Sequence, residues 1–309
     1  MSRAPSRPRT TLLLACLALV LAASASPLSG QVEVIFLDVG QGDAIVIRSP
    51  EGKVALLDAG PTANTVALLR RHQIDSIDIA IASHAHSDHI GGMEGVIRSV
   101  PVRYFMDNGL PHTTSTYAGL MEAVSASSIT YLAATARTII LGSVTLKVLP
   151  PPGSPDHNNN SVGLVVEYGE FRAMLTGDSE AEELSHFLSL DAPDVTMLKA
   201  PHHGSRDGVT PAWLSATRPE VVVISCGWGN PYGHPHDRAL RYYGTVAAEV
   251  YRTDLHGEVR VIGFRNGTYE VHAGKTAGPS SHQPAQREMD LAEEGSDADS
   301  GEIVVRNGY

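Results

Sequence analysis

Ile79-Ala80-Ile81-Ala82-Ser83-His84-Ala85-His86-Ser87-Asp88-His89-Ile90-Gly91-Gly92 carries an apolar run of strand length straight into three imidazoles and a carboxylate. Side chains at i and i+2 of an extended segment point to one side, so His84 and His86 are placed to grip one metal ion. Asp88 and His89 fall where the chain turns into a helix near Met93 and aim elsewhere, which suits a second ion. Imidazole nitrogen and carboxylate oxygen are the donors that divalent ions such as Zn²⁺ accept. A lone His-x-His is more often a solvated loop. His-x-His-x-Asp-His directly behind a buried strand is far more specific.

The 309 residues are 42% hydrophobic, enough for one large core or two modest ones. Thirty-four acidic against 23 basic residues give a formal charge of -11, which argues against a broad basic surface for nucleic acid. Bound divalent ions would offset several of those carboxylates. Arg3, Arg7 and Arg9 precede an apolar run from Leu12 to Ala23 and a small-residue end at Ala23-Ser24-Ala25. That is the pattern of a secretory signal peptide, with an uncleaved membrane anchor as the alternative. Cys16 falls too early in that run for a lipidation box, and its removal leaves Cys226 alone, so no internal disulfide is expected. Beyond Gly274 the composition turns to Pro, Ser, Gly and acids, as in a disordered tail. The expected organisation is an export segment over 1–30, one folded domain over 31–273 and an acidic tail over 274–309.

Within the domain, Val32 to Leu37, Ala44 to Arg48 and Val54 to Leu57 read as three strands joined by tight turns, the first being Asp38-Val39-Gly40-Gln41-Gly42-Asp43. A helix over Thr62 to Arg71 leads to the histidine strand. Further strands are expected at Val102 to Met106, near Ile139, at Val144 to Leu149, Val162 to Tyr168, Phe171 to Thr176, Val195 to Lys199, Val221 to Ser225, near Val250, and in a hairpin over Val259 to Val271. Helices are expected at Tyr117 to Ser127, Ala181 to Leu190 and Asp237 to Tyr243. Strands alternating with helices, with chemistry at strand ends, predict an α+β fold: two sheets face to face with helices outside, a four-layer αββα sandwich.

Five strand-end clusters carry candidate ligands: Asp58, His84 to His89, His157 to Asn160, Asp178, and His202 with His203. Their order resembles the metallo-β-lactamase superfamily. Within it, Leu37-Asp38-Val39-Gly40-Gln41-Gly42-Asp43-Ala44, Leu57-Asp58-Ala59-Gly60, the histidine cluster, Asn158-Asn159-Asn160-Ser161, Leu175-Thr176-Gly177-Asp178, Lys199-Ala200-Pro201-His202-His203-Gly204-Ser205, Tyr232-Gly233-His234-Pro235-His236 and Tyr251-Arg252-Thr253-Asp254 resemble the extracytoplasmic domain of ComEC-type competence proteins. The resemblance runs from about Val32 to Tyr269 and leaves out the polytopic channel region such proteins carry, so a role in DNA uptake is not carried over.

The resemblance implies two divalent ions, Zn²⁺ or Mn²⁺: His84 and His86 on one, Asp88 and His89 on the other, and Asp178 between them. It implies that one of His202 and His203 completes the second site while the other touches substrate or acts as an acid. His234 is a further candidate acid. Asp58 would orient a ligating imidazole, though it also precedes a helix it could cap. Gln41, Asp43, Asn160, Ser205 and His236 are candidates for lining or bracing the site, set against plain turn roles. Many members carry another His where this chain has the Asn run. Asn is a poor Zn²⁺ ligand, so the first site is expected to be weak, open or suited to a harder ion. The implied function is a metal-dependent phosphodiesterase acting on extracytoplasmic DNA, with single-stranded DNA as a substrate and no stable protein partner. The alternatives are an exported esterase on a cell-envelope polymer such as a phosphorylcholine-type ester, a lactam or lactone hydrolase, and a binding module without chemistry.

Overall fold

The computed structural model describes residues 30–246 and 249–275. The export segment expected over 1–30 and the tail from 276 onward lie outside the described residues, apart from Gly30. Gly274 and Lys275 still bond to the domain through Glu258 O and His256 O. Among the described residues no helix is long and apolar enough to cross a membrane.

In chain order the first half contains β1 (Gln31–Phe36), β2 (Ile45–Arg48), β3 (Val54–Leu57), α1 (Thr65–Arg71), β4 (Ile77–Ile81), α2 (Ser87–Ile90), α3 (Met93–Ser99), β5 (Val102–Asp107), α4 (Ser115–Ser125), β6 (Thr130–Ala133), β7 (Arg137–Leu141) and β8 (Val144–Leu149). After a 3₁₀ turn at Asn158–Asn160 come β9 (Gly163–Tyr168), β10 (Phe171–Leu175), α5 (Ala181–Ser189), β11 (Met197–Lys199), α6 (Pro211–Thr217), β12 (Val221–Ile224), α7 (Asp237–Thr245), β13 (Glu249–Arg252), α8 (Thr253–His256), β14 (Val259–Phe264) and β15 (Tyr269–Ala273). One sheet has the order β15-β14-β1-β2-β3-β4-β5-β6 and the other β13-β12-β11-β10-β9-β8-β7.

Three apolar layers hold these elements as a four-layer sandwich. Val32, Val34 and Phe36 of β1 meet Leu146, Leu164 and Phe171 between the sheets. The other face of the first sheet, with Ile35 and Val46, packs on Leu69, Met93 and Leu120 of the helices outside it. The second sheet lays Val165, Met174 and Val222 on Leu184, Phe187 and Trp213. Central strands covered on both faces carry no polar alternation, which is why β3 and β12 read as continuous apolar runs, whereas β1 carries Glu33, buried and ion-paired with Arg48. The sheets are mixed: β1, β2 and β3 pair antiparallel, whereas β3 to β6 and β10 to β13 pair parallel. Each parallel strand needs a crossover back to its start, so the carboxyl ends of β3, β4, β5, β10, β11 and β12 gather on one rim.

The short helices α2 and α8, the strand β6 and the helix α6 go beyond the sequence expectation. β6 is a mostly exposed edge strand without apolar alternation. The helix α6 follows a capping Thr210 and has Pro at its first position, a start signal that its single turn of apolar spacing does not amplify.

Candidate metal centre

The rim is assembled from turns that pack against one another too closely for side chains. Gly42 has φ 130°, and a Cβ there would collide with the backbone carbonyl of Asp88, so the β1–β2 turn lies directly under the metal-bearing turn. Gly92 is likewise pressed on the carbonyls of Ala59 and Thr62. The Asp58 N–H bonds to Ile81 O at 2.8 Å and the Ala59 N–H to His89 O at 2.7 Å, tying the ends of β3 and β4 together.

Asp88, His89, Asp178 and His203 each offer one ligand atom, all within 4.8 Å of one another. His89 Nε2 lies 3.2 Å from Asp178 Oδ2 and 3.9 Å from Asp88 Oδ2. His203 Nε2 lies 3.3 Å from Asp178 Oδ2 and 3.4 Å from Asp88 Oδ2. Ligand atoms around a tetrahedral ion with bonds of about 2.1 Å are roughly 3.4 Å apart, so this set has the right span. His89 Nε2, His203 Nε2 and Asp178 Oδ1 are buried without hydrogen-bond partners among the described residues. The two imidazole nitrogens in this condition, both facing Asp178 Oδ2, fit a divalent cation, while Asp178 Oδ1 lies 3.9 Å from Lys199 Nζ.

The electrostatics are those of a cation site neutralised from within. Although burial opposes it, the Asp178 and Asp58 carboxylates hold the His89 imidazole well above its ordinary pKa. Against the same opposition, Asp178 and Asp43 raise His203 to about 9. Burial would push the Asp178 carboxyl up, but His203 and His89 keep it well below the usual carboxylate range.

The ligands are aimed from behind. Asp58, fully buried, accepts from Ser83 N at 2.7 Å and Ser83 Oγ at 2.7 Å, and meets His89 Nδ1 at 2.8 Å. His203 Nδ1 donates to Ser225 O at 2.9 Å. Both arrangements turn the Nε2 atoms toward the cluster. Six non-glycine residues among those described have positive φ, and Asp58, His202 and His203 are three of them. Conformations of that kind cost of order 1–3 kcal/mol each and persist where the surroundings impose them.

On the other side of Asp178, His84 Nε2 stands 4.0 Å from Asp178 Oδ2 and 3.0 Å from His86 Nδ1. Burial, reinforced by His89, holds His84 well below its ordinary pKa, so its imidazole stays neutral. His202 is separated from its neighbour by the backbone twist: its Nδ1 is 3.0 Å from Glu180 Oε1, and its Nε2 is 3.8 Å from Asp178 Oδ2. Of the two adjacent histidines, His203 is therefore the one within the four-ligand set, and His202 faces the cleft.

That cleft has a volume of about 390 Å³ and is lined by Gln41, His86, Asp88, Asn158, His202 and His234, among others. His234 packs 5.3 Å from His202, and burial, together with electrostatic opposition from the neighbouring His202 and His203, lowers it to about 4. The Gln41 side-chain Oε1 accepts from Gly227 N at 3.1 Å, joining the β1–β2 turn to the loop after β12.

The other candidates stand behind the cleft. Asp43 is fully buried and ion-paired with Lys199 Nζ at 2.8 Å, while Lys199 also donates to Gly177 O at 2.7 Å. Ser205 accepts from Asp207 N at 3.3 Å, and His236 Nδ1 from Arg206 N at 3.0 Å, both bracing the loop. Asn160 spends its amide on the carbonyls of Ser154 and Asp156 and does not line the cleft. Asn158 is the member of the run that does, with its Nδ2 on Glu180 Oε1 at 3.2 Å and its Oδ1 buried without a partner among the described residues. Asn159 accepts from Glu180 N and Glu183 N, each at 3.1 Å, at the start of α5.

Lys199, Glu180 and Glu183 are the residues that sequence reasoning missed. A Lys closing an apolar strand was the available signal for the first. The two glutamates sit among ordinary surface-type residues before and in α5, and nothing local distinguishes them.

Residues 37–228 match the metallo-beta-lactamase superfamily. The chain is 27% identical over 273 residues to ComE operon protein 3 of Bacillus subtilis (strain 168), an alignment covering 79% of this chain and 35% of that protein. It is 27% identical over 275 residues to Recombination protein 2 of Haemophilus influenzae, covering 86% of this chain and 33% of that protein. The match thus takes in about a third of the length of these curated relatives. Among solved structures, CmlA, a diiron beta-hydroxylase from Streptomyces venezuelae, superposes with a TM-score of 0.51 at 15% identity, covering 74% of this chain and 53% of the other, a likeness of fold alone.

Proposed function

This chain belongs to the metallo-beta-lactamase superfamily, and from that premise we propose that it is a metal-dependent phosphodiesterase that cleaves DNA outside the cytoplasm. The observation that carries the hydrolytic reading is the convergence of the buried, unpartnered Nε2 atoms of His89 and His203 on Asp178 Oδ2, with Asp88 beside them. Asp88, His89, His203 and Asp178 would hold one ion, Zn²⁺ or Mn²⁺, and His84 and His86 would hold a second against Asp178. When bound, such ions supply Lewis-acid activation of water and charge neutralisation at the reacting centre.

The chain's own residues do the rest. His202, steadied by Glu180, presents Nε2 to the cleft and is the donor for the departing oxygen. His234 is neutral at physiological pH and offers the cleft a ring nitrogen rather than a charge. Asp58 and the Ser225 carbonyl keep His89 and His203 in the tautomer that leaves Nε2 free. Support for DNA as substrate comes from the name of one relative, Recombination protein 2, and from the resemblance to ComEC-type competence proteins. Support for an exported location comes from the signal-like pattern of residues 1–30.

The test is cleavage of end-labelled single-stranded DNA by the metal-free chain reloaded with Mn²⁺ or Zn²⁺, beside an Asp178→Ala variant and a small aryl phosphodiester. Metal-dependent DNA cleavage lost in the variant supports the proposal. Turnover of the small diester without DNA cleavage transfers the activity to another phosphodiester, such as an envelope polymer. No hydrolysis of either by a metal-loaded chain overturns it.

A further inference from the structure

Besides serving the ligand set just described, His86 lines the mouth of the cleft with His112, and His157 from a third loop comes within ring contact of both. His86 follows β4, His112 lies between β5 and α4, and His157 lies between β8 and the 3₁₀ turn. The ring centroids of His112 and His157 are 4.6 Å apart, those of His86 and His157 5.9 Å, and those of His86 and His112 6.3 Å. Imidazoles bonded to one ion at 2.0–2.1 Å place their centroids roughly 5 Å apart at tetrahedral angles, so modest rotation of the exposed His157 ring and the half-buried His86 and His112 rings would close this triad on a single point. His112 is anchored for the purpose: its Nδ1 is 3.0 Å from Thr114 Oγ1, the hydroxyl that caps α4. The carboxylate nearest in sequence, that of Asp156, accepts the Asn158 N–H at 2.8 Å and so has a local use.

We propose that His86, His112 and His157 form an imidazole-only metal site at the mouth of the cleft, distinct in selectivity from the inner centre and sharing His86 with it. Three nitrogen donors without a carboxylate favour Co²⁺, Ni²⁺, Cu²⁺ and Zn²⁺ and disfavour Mn²⁺ and Mg²⁺. The inner set, with Asp88 and Asp178, accepts both classes. His86 lies between the two: its ring is 4.6 Å from that of His84 on the inner side. An ion captured at the mouth is thereby held next to the residues that would bind it within, which makes the triad an entry station for the metal.

The difference in selectivity supplies a test that needs no enzymatic activity. Co²⁺ and Mn²⁺ are titrated separately into the metal-free full chain and a His112→Ala/His157→Ala variant, with Co²⁺ read from its visible absorption and Mn²⁺ from the free-ion electron paramagnetic signal. The expected result is that the variant loses one equivalent of Co²⁺, or binds that equivalent at least about tenfold more weakly, while its Mn²⁺ count and affinity match the parent. His112 is half-buried and His157 exposed, and equal melting temperatures without metal establish that the variant folds. Identical Co²⁺ titrations in the two proteins would overturn the proposal. So would parallel loss of Mn²⁺, which would make these histidines part of the inner centre.

Discussion

Replacing Asp58 by Asn probes the tautomer of His89 while leaving the backbone undisturbed. Asp58 has φ 59°, a left-handed conformation that Asn tolerates better than most residues carrying a Cβ. Its carboxylate accepts from Ser83 N and Ser83 Oγ and meets His89 Nδ1 at 2.8 Å, and all of these groups are fully buried. Asn retains one oxygen and replaces the other with an NH₂. With that NH₂ toward His89, Nδ1 must accept, and the ring then carries its proton on Nε2, the atom aimed at the ion. With the amide flipped, the NH₂ opposes the Ser83 N–H, and the end of β4 loses its anchor. Either outcome penalises the metal-ready imidazole. Loss of such a partner weakens metal affinity about 10- to 100-fold, or about 1.4–2.7 kcal/mol. Calorimetric titration of Zn²⁺ into the metal-free variant with a competing chelator measures this, with the metal-free melting temperature as a control on the fold. Affinity within about twofold of the parent contradicts the orienting role and returns Asp58 to a turn-forming one.

Three further perturbations follow from the buried groups behind the site. Burial raises Glu183 from its ordinary 4.5 to about 9, so between those values the folded chain keeps a proton the unfolded chain has lost, and stability falls as pH rises through that window. Glu183→Gln should match the parent below the window and exceed it by up to about 3 kcal/mol at pH 7, and parallel urea midpoints of the two metal-free proteins across the range exclude this. Lys199→Met strands the buried Asp43 carboxylate and should cost about 3–5 kcal/mol in urea unfolding, part of it regained on adding Asp43→Asn. An unchanged midpoint in the single variant rules out a paired role. Asn159→Ala removes the acceptor for two N–H groups at the start of α5 and should cost about 1 kcal/mol, with metal affinity measured by titration unchanged.

How legible each part was in the sequence depended on how local its cause was. The central strands were plain because burial on both faces makes them predominantly apolar, and uniformly so over the four residues of β3 and of β12. The edge strand β6 was not, because nothing packs on it from outside and Thr130, Tyr131 and Ala133 stay exposed. The antiparallel start at β1 to β3 follows from tight turns such as Glu51-Gly52-Lys53, while parallel pairing of β3 with β4 depends on where α1 returns the chain, which no local pattern states.

The site divides along the same line. His84, His86, Asp88 and His89 are neighbours in sequence, and their spacing alone suggested two ligand directions. His202 and His203 are neighbours too, yet spacing could not separate them. Their division comes from two successive left-handed residues, φ 48° and 53°, imposed by the packed loop, which send one ring to Glu180 and the other to Ser225. The Asn run shows the converse: three identical side chains take three different tasks because each meets different partners. Lys199 was the most informative residue left unread. A lysine carried into a sandwich by an apolar strand must find an anion or forfeit its charge. The strand-end aspartates Asp43, Asp58 and Asp178 were already candidates, so one of them had to face it. In the structure Asp43 takes that place, with Asp178 Oδ1 3.9 Å from the same ammonium. A buried cation at that distance offsets part of the negative charge the candidate ligand set would otherwise present, so any bound ion would need to supply less positive charge than the aspartates alone suggest.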